Sequence, residues 1–140
     1  ARYRHHFPDA SATLQADYRY FRDGWGVRSH TVDLGWHRDF GADWAIRPAL
    51  RYATQAAADF YSPTVPRPQP AVHSSDQRLA AYGSISPSLR ITRKFEAGLV
   101  LETTVGLYRN AASLRAGGSG SSAFETLRAW YVLVGLTHVF

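Results

Sequence analysis

Apolar and polar side chains take turns along most of this chain, and the longest unbroken alternation is Gln77–Lys94. One set there is Arg78, Ala80, Tyr82, Ser84, Ser86, Ser88, Arg90, Thr92 and Lys94; the other is Leu79, Ala81, Gly83, Ile85, Pro87, Leu89 and Ile91. A strand points successive side chains to opposite faces, so the spacing predicts one long strand with a wet face and an apolar face. Globular strands usually run about five or six residues. A tilted strand crossing a bilayer needs about ten. The length therefore predicts an all-β fold: an antiparallel, up-and-down transmembrane β-barrel.

The same rhythm recurs on both sides of that stretch. Ser11–Arg22 sets Ala12, Leu14, Ala16, Tyr18 and Tyr20 against Thr13, Gln15, Asp17 and Arg19. Val27–Arg38 sets Val32, Leu34 and Trp36 against Ser29, Thr31, Asp33 and His37. Trp44–Gln55 and Gly98–Asn110 alternate likewise, and Thr126–Phe140 is apolar on both faces. Ala1–His6 reads as the tail of an earlier strand. The count is six complete strands and the remnant of a seventh, in one segment with no domain boundary. Pro48 and Pro87 each remove a ladder donor, which predicts local bulges.

Connections alternate short and long. Short turns fall at 7–9, 39–43 and 95–97, long loops at 55–76 and 112–125, and only the 23–26 connection is shorter than its place in the order predicts. Outer-membrane barrels have short periplasmic turns and longer extracellular loops. Aromatics follow the same division: Trp36, Phe40, Trp44, Phe95 and Phe140 fall toward the short-turn rim, and Tyr18, Tyr20, Trp25, Tyr52 and Trp130 toward the other. Amphipathic rings favour such interfacial belts. A soluble sandwich or lipocalin-like barrel shows the same alternation, with the apolar set turned inward instead.

Composition narrows the function classes. The 140 residues hold no cysteine, which excludes a disulfide framework and thiolate metal ligation. No run of eighteen apolar residues offers a transmembrane helix. The net charge of +5 comes almost wholly from arginine, Lys94 being the only lysine. No clustered basic motif points to nucleic acid. Scattered arginines suit a polar lumen and phosphate-bearing lipid headgroups. An exported protein needs a leader, and none opens the chain at Ala1. The expectation is a mature or C-terminal portion of a larger barrel.

The residues expected to face the lumen are Asp17, Arg19, Asp33, His37, Arg47, Arg51, Arg78, Arg90, Lys94 and Glu102. Cations outnumber acids among them, which biases a pore toward anions. Arg47 and Arg51, on one strand, could offer adjacent forks to a carboxylate or phosphate, although paired lumen charges are the plainer expectation. His37 is expected beside Asp33. His5 and His6 point to opposite faces, as do Ser29 and His30, so neither doublet makes a metal site or a Ser–His dyad. His73-Ser74-Ser75 in the long loop is the remaining candidate for a rim hydrolase. The apolar segment 56–61 is expected to fold into the barrel mouth or to dock a partner. No catalytic residue, metal or cofactor is assigned.

The chain's ending places Trp130, Val132, Val134, Leu136, His138 and Phe140 at alternate positions. It resembles the C-terminal signal of bacterial outer-membrane proteins, with His138 where an aromatic is usual. The stretches RYRHHFPDA, ADYRYFRDGWGVRSHT, LRYATQAAADFY and GLTHVF resemble an uncharacterised bacterial outer-membrane family, a domain of unknown function. The resemblance implies an outer-membrane location with outer-membrane lipid and lipopolysaccharide around the barrel. It also implies engagement by the barrel-assembly machinery, with other envelope proteins, redox machinery included, as further partners. The implied activity is a channel or scaffold; a lipid hydrolase and a soluble ligand-binding β-domain are the alternatives.

Overall fold

Seven strands follow one another in the computed structural model, which describes residues 1–68 and 70–138. They are β1 (Arg2–Phe7), β2 (Ala12–Arg22), β3 (Arg28–Phe40), β4 (Trp44–Gln55), β5 (Tyr82–Lys94), β6 (Leu99–Ala111) and β7 (Leu127–His138). Each pairs antiparallel with its sequence neighbours in a single sheet, and β1 and β7 are its two edges. The all-β, up-and-down expectation holds; the sheet is open.

Two details differ from expectation. β5 starts at Tyr82, because Gln77–Leu79 forms a 3-10 turn whose N-cap, Asp76, accepts the Arg78 N–H. A capping aspartate offers the backbone a turn in place of a ladder, so the alternation at 77–81 is not strand. The prolines make no bulges. Pairing lapses between Gly35↔Ala49 and Arg38↔Ile46, and between Ile85↔Arg109 and Ser88↔Gly106, then resumes in the same register. A proline removes only its own donor, on one side; toward each other the two strands keep Pro48↔Leu89 and Leu50↔Pro87.

The register sorts side chains into two faces. Arg4, Gln15, Gly35, Ala49, Ser88, Gly106 and Tyr131 share one. Leu34, Leu50, Pro87, Leu107 and Trp130 lie on the other. The apolar face is the exposed one: Leu107 is 58 % accessible, Val134 68 % and Leu136 67 %. On β3, Thr31 and Gly35 of the polar face are buried while Leu34 and Arg38 are exposed. Side chains of β2 and β4 meet over β3 on that polar face, where Arg47 bonds Gln15 across Gly35. The sheet therefore curls toward its polar side. Among the described residues the buried hydrophobics are alanines and Val27, and no large side chain is fully buried.

Both ends are finished differently. At the short-turn end Phe7 packs on Trp36, and Arg93 lies over Trp44 and Phe95. At the other end the three connections interlock. Asp23 accepts the Trp25 and Val27 N–H groups, Asp59 N–H donates to the Trp25 carbonyl, and Ser121 N–H donates to the Ala81 carbonyl. Gly83 is required beneath this cap, since a Cβ there would overlap the Leu114 carbonyl. The segment 56–61 lies against the 23–27 connection, with Phe60 edge-on to Trp25 and Ala58 N–H bonded to the Leu79 carbonyl. It forms a wall between the neighbouring connections.

The ring of Tyr131 occupies the space that a side chain at Gly106 would need. An aromatic laid over a strand glycine in this way fixes register. Gly106→Val is expected to destabilise the folded protein by about 1–3 kcal/mol through overpacking, read as a lowered urea midpoint with unchanged slope.

Candidate functional site

The charged polar face is the chemically richest surface, and the register builds it. Arg2, Asp17, Asp33 and Arg51 stand side by side across β1, β2, β3 and β4. Two carboxylates directly opposite one another repel. Each here has a guanidinium on its outer flank: Arg2 Nε donates to Asp17 at 2.7 Å, and Arg51 Nε lies 2.9 Å from Asp33. With Arg19 and the N-terminal residue they line a cavity of about 640 Å³.

A second group lies toward β5 and β6. Arg47 and Arg90 are cross-strand neighbours, and each is drawn to its own acceptor. Arg47 Nη2 donates to Gln15 Oε1 at 2.5 Å, reaching across Gly35, which leaves room for it. Arg90 Nε donates to Thr104 Oγ1 at 3.3 Å, with its guanidinium 3.9 Å from Glu102. Arg47 and Arg51 are thus engaged separately and do not present a joint fork. His37 meets Asp39, two residues along β3, at 3.2 Å, and not Asp33, which lies four residues back, about 13 Å along the strand, and pairs with Arg51. Arg19 and Lys94 make no side-chain hydrogen bond or ion pair among the described residues, and neither does Arg4.

Of the residues singled out from sequence, Asp17, Arg19, Asp33, His37, Arg47, Arg51, Arg90, Lys94 and Glu102 share this face. Arg78 does not: it lies in the 3-10 turn before β5 and is clamped to Asp76 at 2.6 Å. Arg2, Arg4, His6 and Asp39 belong to the face and were missed. The first three sit on β1, whose alternation carried the signal; Asp39 was assigned to a turn that begins only at Gly41.

Trp130, Val132, Val134, Leu136 and His138 line up on the apolar face of β7, opposite Leu107, Val105, Thr103, Leu101 and Leu99. Phe140 lies outside the described residues. His5 packs between Tyr3 and Phe7 on the apolar face while His6 meets Thr13 on the other, so the doublet is split as expected. In the long loop His73 Nε2 donates to the Ser62 carbonyl at 3.2 Å, and Ser74 Oγ accepts the Asp76 N–H. These are turn contacts and not a Ser–His–acid relay. Among the described residues no three His, Cys, Asp or Glu side chains converge as metal ligands.

Fold and faces together define an antiparallel up-and-down β-sheet protein with an exposed apolar side and a charged concave side. Residues 1–129 match the family described as "Protein of unknown function (DUF3570)", and the chain belongs to it. Comparison with curated proteins and with solved structures returns no match.

Asp33→Ala should free Arg51 yet cost at most about 1 kcal/mol, because both partners are well exposed; a larger loss in a urea titration would show that the pair is structural. In the loop, the side-chain bond from Arg78, helped by the Arg78 N–H, holds the Asp76 carboxyl below the usual aspartate value of 3.8. The cap's contribution is complete above that value and is lost as the pH falls through the lower, folded one. A carboxyl-detected NMR titration should place the Asp76 midpoint below 3.8, and Arg78→Gln should raise it.

Proposed function

We propose that this chain is the C-terminal sector of a larger transmembrane β-barrel in the bacterial outer membrane, its polar face lining a cationic lumen that passes small anionic solutes. The observation that carries the reading is the inverted exposure of the two faces. A water-soluble barrel buries its apolar set. Here that set is the accessible one, from Leu34 on β3 to Leu136 on β7.

Charge placement supports the same reading. No strand carries an acid on the apolar face, where the cations are Arg22, Arg28, Arg38, Arg93, Arg109 and Arg128. All of them stand toward strand ends. Arg28 and Arg38 on β3, like Arg128 and His138 on β7, are about ten residues apart, roughly 33 Å of strand. At the tilt of membrane barrels that span is about 25 Å tall, the height of an outer-membrane apolar band. The free edges of β1 and β7 are where further strands would pair. The long connections then face outward and the short turns the periplasm, with the β7 residues Trp130–His138 presented to the assembly machinery.

The passage favours anions because the acids Asp17, Asp33, Asp39 and Glu102 each meet a cation or histidine, while Arg4, Arg19 and Lys94 are left over. The full-length natural protein in planar bilayers should conduct with anion selectivity. Replacing Arg19 and Lys94 together by Glu should reduce or reverse that preference. Absent conductance, or cation selectivity in the unsubstituted protein, would contradict the channel.

A further inference from the structure

The arginines of the apolar face raise a separate question, because those at the long-connection end have no ion-pair partner among the described residues. Arg22 and Arg28 are direct cross-strand partners, as are Arg109 and Arg128. Like charges set opposite one another in a sheet repel. None of the four makes an ion pair or side-chain hydrogen bond among the described residues. On the polar face, by contrast, the Arg47–Arg90 pair is relieved by Gln15, Thr104 and Glu102.

Beside the first pair the surface is shaped. A cavity of about 380 Å³ is lined by Tyr20, Arg28, His30, Thr54 and Arg115. His30 is held in place, its Nδ1 2.7 Å from the Tyr18 hydroxyl and its ring 5.1 Å from that of Tyr20. Arg115 is fastened by its own loop through the Ser119 carbonyl, and Ala116 N–H is tied to Thr54 Oγ1 at 3.0 Å. Below the cavity on the same face run Val32, Leu34, Leu50 and Tyr52, with no charge among them.

A recess with arginines above and an apolar strip beneath matches an amphiphile with an anionic head. Resting on the membrane reading, we infer that this recess binds a phosphate of lipopolysaccharide. The lipid's acyl chains lie along Val32, Leu34 and Leu50, and Arg22, Arg28 and Arg115 meet its headgroup. A glycolipid with phosphates on two sugars fits better than a single small anion. Arg109 and Arg128, two strands beyond Thr54, place a second unneutralised pair on the same face. Guanidinium forks bind phosphate by paired charge-assisted hydrogen bonds.

The test uses the full-length natural protein in detergent, purified lipid A as probe, and native mass spectrometry as readout. Three variants accompany it: Arg22→Gln with Arg28→Gln, Arg115→Gln alone, and Arg38→Gln at the opposite rim as control. The double variant should bind lipid A about tenfold or more weakly, Arg115→Gln should weaken it less, and Arg38→Gln should leave it unchanged. Equal binding by all variants would overturn the site, as would binding of inorganic phosphate as tightly as lipid A. Heat-dependent gel mobility on the same samples separates the two levels. A heat-shifting protein with unaltered lipid A binding fails only this inference, whereas one that never shifts fails the barrel beneath it.

Discussion

Everything in this chain hangs on an antiparallel ladder whose register never slips. A shift of one residue in any strand would move its apolar set to the other face and scatter the charged set with it. The ladder has to bear this alone, because among the described residues no large side chain is fully buried to lock the strands from a core. Backbone hydrogen bonds are each worth little net in water, but they become obligatory where water is excluded. Pro48 and Pro87 show how far the ladder tolerates loss. Each removes rungs on one side only, and the register resumes unchanged beyond it.

The polar face follows from that register. Bringing Asp17 against Asp33 and Arg47 against Arg90 creates two like-charge contacts, relieved by groups one strand further out or, for Arg47, two strands away at Gln15. The relief is geometric as much as electrostatic, since Arg47 reaches Gln15 by lying directly over Gly35. Exposed pairs of this kind add little stability. Their consequence is a face on which acids are engaged and a few cations are not.

Much of this was legible in the alternation. β4 was read to the residue and β2 within one, because nothing local competes with extension there. The start of β5 was not, since Asp76 caps a turn over residues that alternate just as well. Membership of a face was legible wherever the strand was right, which is why Arg78 alone among the charged candidates fell off it. Cross-strand partners were not legible. That Asp33 takes Arg51 depends on how β3 lies against β4, and alternation within a strand carries no such information; the His37–Asp39 contact, two residues apart on β3, could have been read from spacing alone. The course of residues 56–61 was hidden for the same reason, because it is set by the neighbouring connection at 23–27.

The central claim is that the apolar face meets lipid, and the absence of cysteine from the chain makes it directly measurable. Single cysteines placed at Leu34, Leu89 and Val132 on one face and at Ala49, Ser88 and Thr104 on the other would carry nitroxide labels in the full-length natural protein, reconstituted in liposomes. Collision with oxygen, which concentrates in lipid, should dominate at the first three, and collision with a water-soluble nickel complex at the second three. Labels on Leu34, Leu89 and Val132 that are shielded from both reagents would place those residues in a protein interior and contradict the membrane reading.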